Sequence, residues 1–565
     1  MRSRGTWLRW LPRVSFFFAL AGCVQTTVVV DGDGGRDAAT PDARVADAGA
    51  RDARPADAGA DDAGADGGVE LPCPAYHERC RGSCVPVTDD PARCGACGSA
   101  CGSGEVCFAG RCEMACPPDL AACAGRCVDL RLDSEHCGAC GGACAASTGC
   151  VESRCEPSVA SGGAPDCAAA PPILFPGTAE DGECSGEVAE TTFRWALCSC
   201  EDVELFNPLE TDAFDSRTGP YRPGGAGGGV GSNGGFSSSS TGDVGGTLWA
   251  ASPRAGVLLS NRFAVAHELQ CGGVLDVGNP LTVGGDAFVA GDLVTSDAVV
   301  IAGRLHQPPG ARVVGDVTYD ALVTEPVVVG DPCDCDARDR IPVGSIVAAA
   351  ARANDNAAIG LDPAALSSVS APRRLDLPCG RYFLRGVDTS QPLVIHASGR
   401  SALFVEGDLR STSDLYVTVA PGAELDLLVS GTVEVSGTLA IGSPIRPASS
   451  RVYIGGLGDA LTLTNDTEVG GFVYVAAGAV VGSNPIEVYG GVFAGRFRNA
   501  GSTRIHFDRA VLRAGDDCPP PDRPCDSCAD CGNQACLEGA CGGCTASADC
   551  CAPLVCFEGE CVLLE

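Results

Sequence analysis

The sequence predicts a mainly β protein, in which a β-solenoid-like central domain is flanked by small disulfide-rich modules. Short runs of alternating apolar and polar residues in that domain are interrupted by glycines 6 or 12 residues apart, which is the spacing of short strands in stacked coils. The 565 residues include 76 Gly and 37 Pro, amounts that favour turns over long helices. The 36 Cys favour bridges in an oxidising compartment. A β-sandwich is the alternative architecture.

Residues 1–23 have the layout of an export signal. Arginines precede a short apolar run, Val14 to Gly22, that is too short to span about 30 Å of hydrocarbon. The run Leu20-Ala21-Gly22-Cys23 resembles the lipobox of bacterial lipoproteins. That resemblance implies cleavage before Cys23 and lipid chains on its sulfur and its new amino terminus. Val24 stands where an aspartate often retains such proteins at the inner membrane, which favours the outer membrane.

Residues 24–70 are predicted to form a disordered linker. From Asp31 to Gly68 the chain is almost wholly Asp, Ala and Gly, and Val45 is its only sizeable apolar side chain. Such a segment cannot bury enough surface to offset the entropy lost on ordering. We expect a solvated spacer between a lipid and the first cysteine-rich module.

The charge balance excludes some classes of partner. The chain has 39 basic and 72 acidic residues, a formal net charge of −33. This excess of negative charge argues against binding to nucleic acid and against electrostatic docking on anionic lipid or polysaccharide.

Two cysteine-rich repeats are predicted at residues 71–115 and 116–158. Their cysteines coincide when 43 is added to each number of the first set, so the segment is a tandem duplication. Units this small need covalent bridges, and eight cysteines permit four disulfides in each. The disulfide-forming residues are Cys73, Cys80, Cys84, Cys94, Cys97, Cys101, Cys107 and Cys112 in repeat 1, and Cys116, Cys123, Cys127, Cys137, Cys140, Cys144, Cys150 and Cys155 in repeat 2.

Zinc is the alternative for these cysteines, because Cys94-x2-Cys97 and Cys137-x2-Cys140 have zinc-knuckle spacing. Export and the surplus of sulfur favour disulfides, and no metal or other cofactor is predicted. The repeats resemble cysteine-rich modules of exported proteins in myxobacteria and their relatives, which implies spacing or binding rather than catalysis.

Residues 518–565 are predicted to form a knot-like cysteine-rich module. Its spacing resembles knottin-like and Dickkopf- or colipase-like folds. The C-x4-C element recurs at both ends of the protein, as in Cys107–Cys112, Cys150–Cys155, Cys536–Cys541 and Cys556–Cys561, and three of these four enclose a glycine, as expected of stapled tight hairpins. The disulfide-forming residues of this module are Cys525, Cys528, Cys531, Cys536, Cys541, Cys544, Cys550, Cys551, Cys556 and Cys561.

The central domain is predicted at residues 164–516. Phrases such as Val283-Gly284-Gly285-Asp286 and Val289-Ala290-Gly291-Asp292 recur through it, and they predict coils of a β-solenoid. One segment differs: Pro342 followed by the alanine-rich run Val343 to Ala353 predicts a helix that caps or interrupts the coils.

The central domain also resembles a family. The landmarks are Phe193 to Cys200, Thr211 to Ser216, Cys379 to Leu384, Gly470 to Tyr474, Val488 to Phe493 and Ile505 to Asp508. Together they are similar to an uncharacterised β-rich domain of bacterial exported and pilus-associated proteins. The six-residue phrases are also similar to those of bactofilins, which are β-helical scaffolds. These resemblances imply a surface or scaffold role and supply no catalytic residues.

No catalytic residue is predicted. The sequence has no HExxH, no GxSxG elbow and no Walker loop. His506 near Asp508 is a possible acid/base pair, but alternate strand positions carry such pairs routinely, so a structural role is preferred. The carboxylates that follow glycine in the phrases are expected to be turn residues. An enzyme would instead require Asp286, Asp292 or Asp316 to converge with an arginine in one groove.

At least one cysteine is predicted either to be a free, buried thiol or to form a bridge to another chain. After Cys23 an odd number, 35, remains. If the cysteines of each repeat pair within that repeat, and the ten cysteines from Cys525 onward pair with one another, Cys518 joins the eight cysteines of the central domain. These nine cysteines cannot all pair, so one sulfur is left without an intramolecular partner. Cys271 is the candidate, because it stands alone in the sequence.

The predicted function is adhesion, recognition or scaffolding by a lipid-anchored cell-envelope protein without catalysis. The partners expected are the membrane, through lipidated Cys23, and a protein or glycan ligand at the cell surface, but not nucleic acid. The expected location is the outer membrane, with the modules facing the surface or the periplasm. The alternatives are a polysaccharide-active β-helix enzyme (hydrolase or lyase) and an assembly factor for pili or a coat.

Overall fold

The computed structural model describes residues 73–563, except 74–75, 161–171, 177–182, 339, 466, 519–524, 526, 532, 538 and 558. The predicted signal peptide with Cys23 and the predicted linker lie outside the described residues. One compact unit spans Val69–Glu565. No helix within the described residues is long and apolar enough to cross a membrane.

The two cysteine-rich repeats consist of short hairpins. The strand Val106–Phe108 of repeat 1 pairs in parallel with Arg126–Val128 of repeat 2, which joins the repeats through one four-stranded sheet. The strands are β1 His77–Cys80, β2 Ser83–Pro86, β3 Val106–Phe108, β4 Arg111–Glu113, β5 Ala121–Cys123, β6 Arg126–Val128, β7 Thr148–Val151 and β8 Arg154–Pro157.

Disulfides close each repeat internally, and both repeats have the same connectivity. The bonds in repeat 1 are Cys73–Cys84, Cys80–Cys97, Cys94–Cys107 and Cys101–Cys112. Those in repeat 2 are Cys116–Cys127, Cys123–Cys140, Cys137–Cys150 and Cys144–Cys155. The two cysteines of each C-x2-C pair therefore belong to different disulfides and are not thiolate ligands.

The four C-x4-C elements named above form hairpins, but, contrary to expectation, no disulfide joins the two cysteines of one hairpin to each other. Cys107 and Cys112 lie directly opposite each other in the β3–β4 hairpin, yet each is bonded to a cysteine outside it. Gly110 provides the positive φ (73°) that this turn needs. The bonds thus tie the hairpin to the rest of the repeat, so they close larger loops than a staple across the hairpin would.

A short hairpin and a helix precede the solenoid: β9 Leu174–Phe175, β10 Glu183–Cys184 and α1 Ser185–Thr192. The first half of the solenoid then contains β11 Leu197–Ser199, β12 Val203–Leu205, β13 Leu209–Phe214, β14 Val230–Ser232, β15 Phe236–Ser238, β16 Gly242–Val244, β17 Leu248–Ala250, β18 Val257–Leu259, β19 Phe263–Val265, β20 Leu269–Cys271, β21 Leu275–Val277, β22 Leu281–Val283, β23 Ala287–Val289, β24 Leu293–Thr295, β25 Val299–Ile301, β26 Leu305–Gln307, β27 Val313–Val314, β28 Val317–Thr318 and β29 Leu322–Thr324.

Each coil of this half has three sides, and each side is one short strand, which has three residues except in β13, β27 and β28. The first and third residues of a strand point into the core and the second points out, as in Leu275–Val277, where Asp276 is exposed between two buried neighbours. Glycines stand at corners where a neighbouring coil comes very close. A Cβ on Gly284 would lie 2.1 Å from the carbonyl oxygen of Ala266, so no side chain fits there.

The chain then leaves the end of the stack and returns along its outside. Two disulfides fix the returning segment to β11 and the residue that follows it, Cys198–Cys333 and Cys200–Cys335. Two helices follow, α2 Val343–Ala350 and α3 Asn356–Ile359. The helix predicted after Pro342 is therefore confirmed, and it interrupts the solenoid.

The second half contains β30 Arg373–Leu377, β31 Gly380–Leu384, β32 Val387–Thr389, β33 Leu393–Ala397, β34 Arg400–Val405, β35 Leu409–Ser411, β36 Leu415–Val419, β37 Glu424–Val429, β38 Val433–Val435, β39 Leu439–Gly442, β40 Ser450–Ile454, β41 Gly458–Leu463, β42 Thr467–Gly482, β43 Ile486–Asn499 and β44 Thr503–Asp508. Two short 3-10 helices, Pro447–Ser449 and Arg509–Arg513, accompany these strands.

The two halves stack into one solenoid, because the last coil of the second half pairs with the first coil of the first half. Strand β11 lies between β43 and β14, and β13 lies between β44 and β16, all in parallel. The chain therefore enters in the middle of the stack, winds to one end, crosses to the other end and winds back. A β-sandwich needs antiparallel sheets, so the alternative architecture is wrong.

We name the three sides by the first coil: face 1 contains β11, face 2 contains β12 and face 3 contains β13, each with the strands stacked on it. Face 3 of the second half consists of β30, β33, β36, β39, the first parts of β42 and β43, and β44. The side chains inside the coils form one hydrophobic core that runs through both halves.

The C-terminal module has four strands, β45 Ala535–Leu537, β46 Ala540–Gly542, β47 Leu554–Phe557 and β48 Glu560–Leu563, and two 3-10 helices, Cys528–Cys531 and Ser547–Asp549. Its disulfides are Cys525–Cys536, Cys528–Cys551, Cys531–Cys541, Cys544–Cys556 and Cys550–Cys561. Cys518 is bonded to Cys184 and so belongs with the central domain.

Candidate functional site

The cysteines have structural roles. Cys271 is the one free cysteine among the described residues, and it lies buried in the core at the end of β20. Its thiol donates to the carbonyl oxygen of Gly273 at 3.4 Å. Burial raises the pKa of this thiol to about 11, which leaves it in the unreactive protonated form at neutral pH.

Repeat 1 packs on the solenoid through Tyr76. This side chain is 6% exposed, and its hydroxyl lies 2.8 Å from Oγ of Ser216. The same hydroxyl donates to Oδ2 of Asp508 at 3.2 Å and accepts from the backbone N–H of Ala448 at 3.0 Å. Burial raises the pKa of Asp508 to about 6. Repeat 1 is therefore held by a buried polar contact with three separate parts of the domain.

Repeat 2 packs on face 3 of the second half. Val151 forms a small apolar cluster with Val394 and Tyr416, which point outward from β33 and β36. The buried guanidinium of Arg374 donates to the carbonyl oxygens of Leu132 and Cys150 at 2.7 and 3.1 Å. The two repeats thus cover part of the solenoid surface, which removes that surface from the possible binding sites.

The recurring aspartates lie at corners of the coils. Oδ1 of Asp286 accepts from the backbone N–H of Arg304, one coil further on, at 2.8 Å. Asp292 accepts in the same way from Arg312, and Asp408 from Thr432. Each carboxylate therefore links two consecutive coils, as expected of turn residues of the repeat.

These aspartates do not form a catalytic groove. Asp286, Asp292 and Asp316 precede strands of three different faces, so they lie on three different edges of the solenoid. Asp286 pairs with Arg304 and Asp292 pairs with Arg312, at separate corners. The convergence that a polysaccharide-active enzyme would require is not found at these residues.

His506 has a different partner from the one considered in the sequence. Its Nδ1 lies 2.7 Å from Oδ1 of Asp212, and its Nε2 lies 3.4 Å from Oε1 of Glu487. The ring of Tyr221 covers the imidazole at 4.0 Å between centroids, and the Tyr221 hydroxyl donates to Asp212. Asp508 instead accepts a hydrogen bond from the hydroxyl of Tyr76. The arrangement fastens the loop after β13 to face 3, and His506 is 2% exposed.

A row of outward-facing side chains on face 1 of the first half is the best candidate for a binding surface. We call Trp249, Gln270, Phe288 and His306 the aromatic row; they are the middle residues of β17, β20, β23 and β26 and follow one another in register. Trp249, Gln270 and Phe288 are half-buried. Because strands lie about 4.8 Å apart, the two aromatic rings are roughly 10 Å from each other on one flat sheet.

Neighbouring groups hold the aromatic row in place. Nε1 of Trp249 donates to the carbonyl oxygen of Gly330 at 2.8 Å, and its ring meets that of the buried Trp195 edge to face. The rings of Phe288 and His306 stack with centroids 4.3 Å apart. Trp249 and Phe288 therefore have defined orientations, which lowers the entropy that a ligand would have to remove.

Polar groups surround the far end of the row. Nδ1 of His306 lies 2.7 Å from Glu325, and its Nε2 lies 3.4 Å from Asp286, which also pairs with Arg304. Gln270 donates to Glu268 at 3.3 Å. The row thus combines apolar ring surface with hydrogen-bonding groups of both kinds, an arrangement that suits a ligand with alternating apolar and hydroxyl surface.

Sequence reasoning missed the aromatic row. Gln270, Phe288 and His306 follow one another at intervals of 18 residues, and Trp249 precedes Gln270 by 21. Once the coil length is known, those intervals identify side chains on one face. The longer loop between β17 and β18 changes the interval at Trp249 from 18 to 21 residues, so the spacing in the sequence alone does not indicate the row.

The comparisons give similarity without function. Residues 339–513 match a family described as a domain of unknown function (DUF7305). Residues 60–115 and 108–158 match the stigma-specific STIG1-like protein family. The first match covers α2, α3 and the second half of the solenoid, and the second covers the two cysteine-rich repeats. No curated protein and no solved structure matches the chain.

Proposed function

We propose that this protein is a lipid-anchored recognition protein of a bacterial cell envelope, and that the aromatic row binds a polysaccharide chain without cleaving it. The observation that carries this proposal is the row itself. Trp249 and Phe288 place two oriented, half-buried rings on a flat sheet, next to Gln270 and the charged groups around His306. Sugar rings have an apolar face and a hydroxyl rim, which such a surface complements.

The surroundings of the row favour binding over catalysis. Both ring nitrogens of His306 face carboxylates, and its side chain is 7% exposed, so it is not presented to a substrate. Asp286 is held by Arg304 and by the backbone N–H of the same residue, which lower its pKa against the effect of burial. A general acid in a glycosidase needs a raised pKa instead.

The covalent framework supports an extracytoplasmic location. Disulfides close both repeats, the C-terminal module and the returning segment, and such bonds persist in oxidising compartments. Lipidation at Cys23, the signal peptide and the outer membrane come from the sequence at residues 1–23 and remain part of the proposal. A lipid anchor with a disordered linker would let the rigid solenoid reach ligands at a distance from the membrane.

The ligand is tested by titrating the purified protein with polysaccharide extracted from the producing cell's envelope and measuring the heat of binding by calorimetry. We expect Trp249→Ala and Phe288→Ala each to weaken binding at least tenfold, because each removes apolar ring surface from the row. Leu258→Ala is the matched control, since Leu258 is the 45% exposed middle residue of β18 on face 2. Equal binding by all three variants would show that the aromatic row is not the binding surface. If a parallel titration with envelope proteins saturates and the titration with polysaccharide does not, the ligand is a protein.

The location is tested by protease treatment of intact cells with wild type and Cys23→Ser. Loss of the wild-type protein to external protease would support a surface-exposed recognition role. Protection until the outer membrane is opened would support a periplasm-facing role. Unchanged membrane retention of Cys23→Ser would contradict the lipid anchor.

A further inference from the structure

The two ends of the solenoid differ. At the end formed by β30, β31 and β32, a segment of the chain covers the first coil. Leu366 in this segment is 0% exposed, and its carbonyl oxygen accepts from the N–H of Asp388. Val369 pairs in parallel with Thr389, and Ser158 of the chain before the domain pairs with Arg374. Both the core and the backbone edge are therefore closed at this end.

At the opposite end, formed by β27, β28 and β29, none of the described residues provides such a cover. We call these three strands the open end. Their residues Val313, Val317 and Leu322 stand one coil beyond Leu293, Val299 and Leu305, which are at most 1% exposed. Val313 and Val317 are half-buried, and Leu322 is 47% exposed. The hydrophobic core thus reaches the surface here.

The backbone is also unpaired at the open end. In the previous coil, the N–H groups of Leu293, Val299 and Leu305 donate to carbonyl oxygens of the last coil. Within the described residues, β27, β28 and β29 pair across the coils only with β24, β25 and β26, so the same N–H groups of the last coil have no further coil to bind. An exposed apolar edge of this kind is a template for pairing with another chain.

We propose that the open ends of two copies of this chain pair with each other and form a closed dimer. Two identical ends meet only about a two-fold axis, so their strands would pair antiparallel. A head-to-tail filament would need the opposite end as the second surface, and the covering segment occupies it. The association therefore stops at two copies.

The residue composition of the open end and the area that it presents both favour a second copy of this chain as its partner. The strands Val313–Val314, Val317–Thr318 and Leu322–Thr324 are β-branched or apolar and contain no lysine or proline, the residues that usually protect edges. A coil with sides of about 20 Å plus its side chains presents on the order of 500 Å², so a dimer would bury about 1,000 Å² in total. That area lies at the lower limit for a specific interface, so we expect a micromolar dimer.

Sedimentation velocity of the full chain, purified from an oxidising compartment in the detergent that its lipid requires, tests the proposal. We expect a concentration-dependent monomer–dimer equilibrium with a mass ratio of two. Leu322→Lys should shift the midpoint at least tenfold to higher concentration, because it buries a charge in the apolar contact. Val300→Lys is the matched control: Val300 is 44% exposed, but it points sideways from β25, one coil inside the end.

Hydrogen exchange of the wild-type protein supplies a second measurement that needs no variant. Amides of residues 313–324 should exchange at least tenfold more slowly above the dimer midpoint than below it, while those of β30 to β32 remain unchanged. A monomer throughout the micromolar range, larger assemblies, or equal effects of Leu322→Lys and Val300→Lys would each overturn the closed dimer.

Discussion

Replacing Tyr76 by phenylalanine should weaken the contact of repeat 1 with the solenoid without unfolding the repeat. The change removes one oxygen atom, and the ring can stay in place. The lost hydroxyl leaves the N–H of Ala448 without its partner in a buried site, removes one hydrogen bond to Asp508, and removes the 2.8 Å contact with Oγ of Ser216. The disulfides of repeat 1 remain intact, so the repeat keeps its own fold.

The magnitude follows from the three contacts. A buried polar group left unsatisfied costs about 1–3 kcal/mol, and a bond to a charged acceptor contributes about 1.5–3 kcal/mol. Asp508 keeps its bonds from Ser216 and Ala510, so part of the loss is recovered. We therefore expect the contact to weaken by about 2 kcal/mol, which is roughly a 30-fold change in the opening equilibrium.

Hydrogen exchange at the amides of Ala448 and Ser216 measures this opening directly. Both amides are buried in the contact, and both should exchange roughly 30-fold faster in Tyr76→Phe. The control is Tyr416→Phe at the contact with repeat 2, where the hydroxyl lies 3.4 Å from Asp414 and makes only a weak bond. A change below twofold in Tyr76→Phe, or an equal change in the control, would refute the reasoning.

Three further results are expected. Burial raises the pKa of Glu190 to about 8 and that of Asp508 to about 6. Both groups bind protons more tightly in the folded state than in the unfolded state, so their contribution to stability is complete below about pH 4 and is lost as the pH rises through 6 and 8. The free energy of unfolding measured with urea should therefore be lower at pH 9 than at pH 5. Glu190→Gln should reduce this difference. Arg451→Met should lower the free energy of unfolding by about 3–5 kcal/mol, because Asp426 and Glu424 lose their buried partner, whereas Arg410→Met at an exposed pair should change it by less than about 1 kcal/mol. Thiol titration of the native protein should not detect Cys271, and comparison with Cys271→Ser in denaturant should reveal one additional thiol in the wild type.

Local patterns in the sequence were sufficient for the class of fold. The glycine spacing predicted coils, because a corner such as Gly284 leaves no room for a side chain. The alternation of residues predicted strands, since the first and third side chains of each strand must enter the core. The duplicated cysteine spacing predicted two closed units, and the odd count predicted a free thiol, which the structure places at Cys271.

Long-range pairing could not be predicted in the same way. No local signal indicates that β11 lies against β43, nearly 300 residues away, or that Cys184 is bonded to Cys518. Such contacts depend on where the chain re-enters the stack, and every coil offers a similar edge. The partner of His506 was missed for this reason, because Asp212 reaches it only through the pairing of β13 with β44.

The sequence by itself determined the coil, the cysteine-rich units and the absence of familiar catalytic motifs, because these depend on spacing along the chain. Only the tertiary structure decided which surfaces remain available. Packing of the repeats through Tyr76 and Arg374 covers part of face 3, the segment with Leu366 closes one end, and the opposite end and the aromatic row stay accessible. The physical reason is that exposure depends on which distant segments pack together, and many packings satisfy the same local pattern.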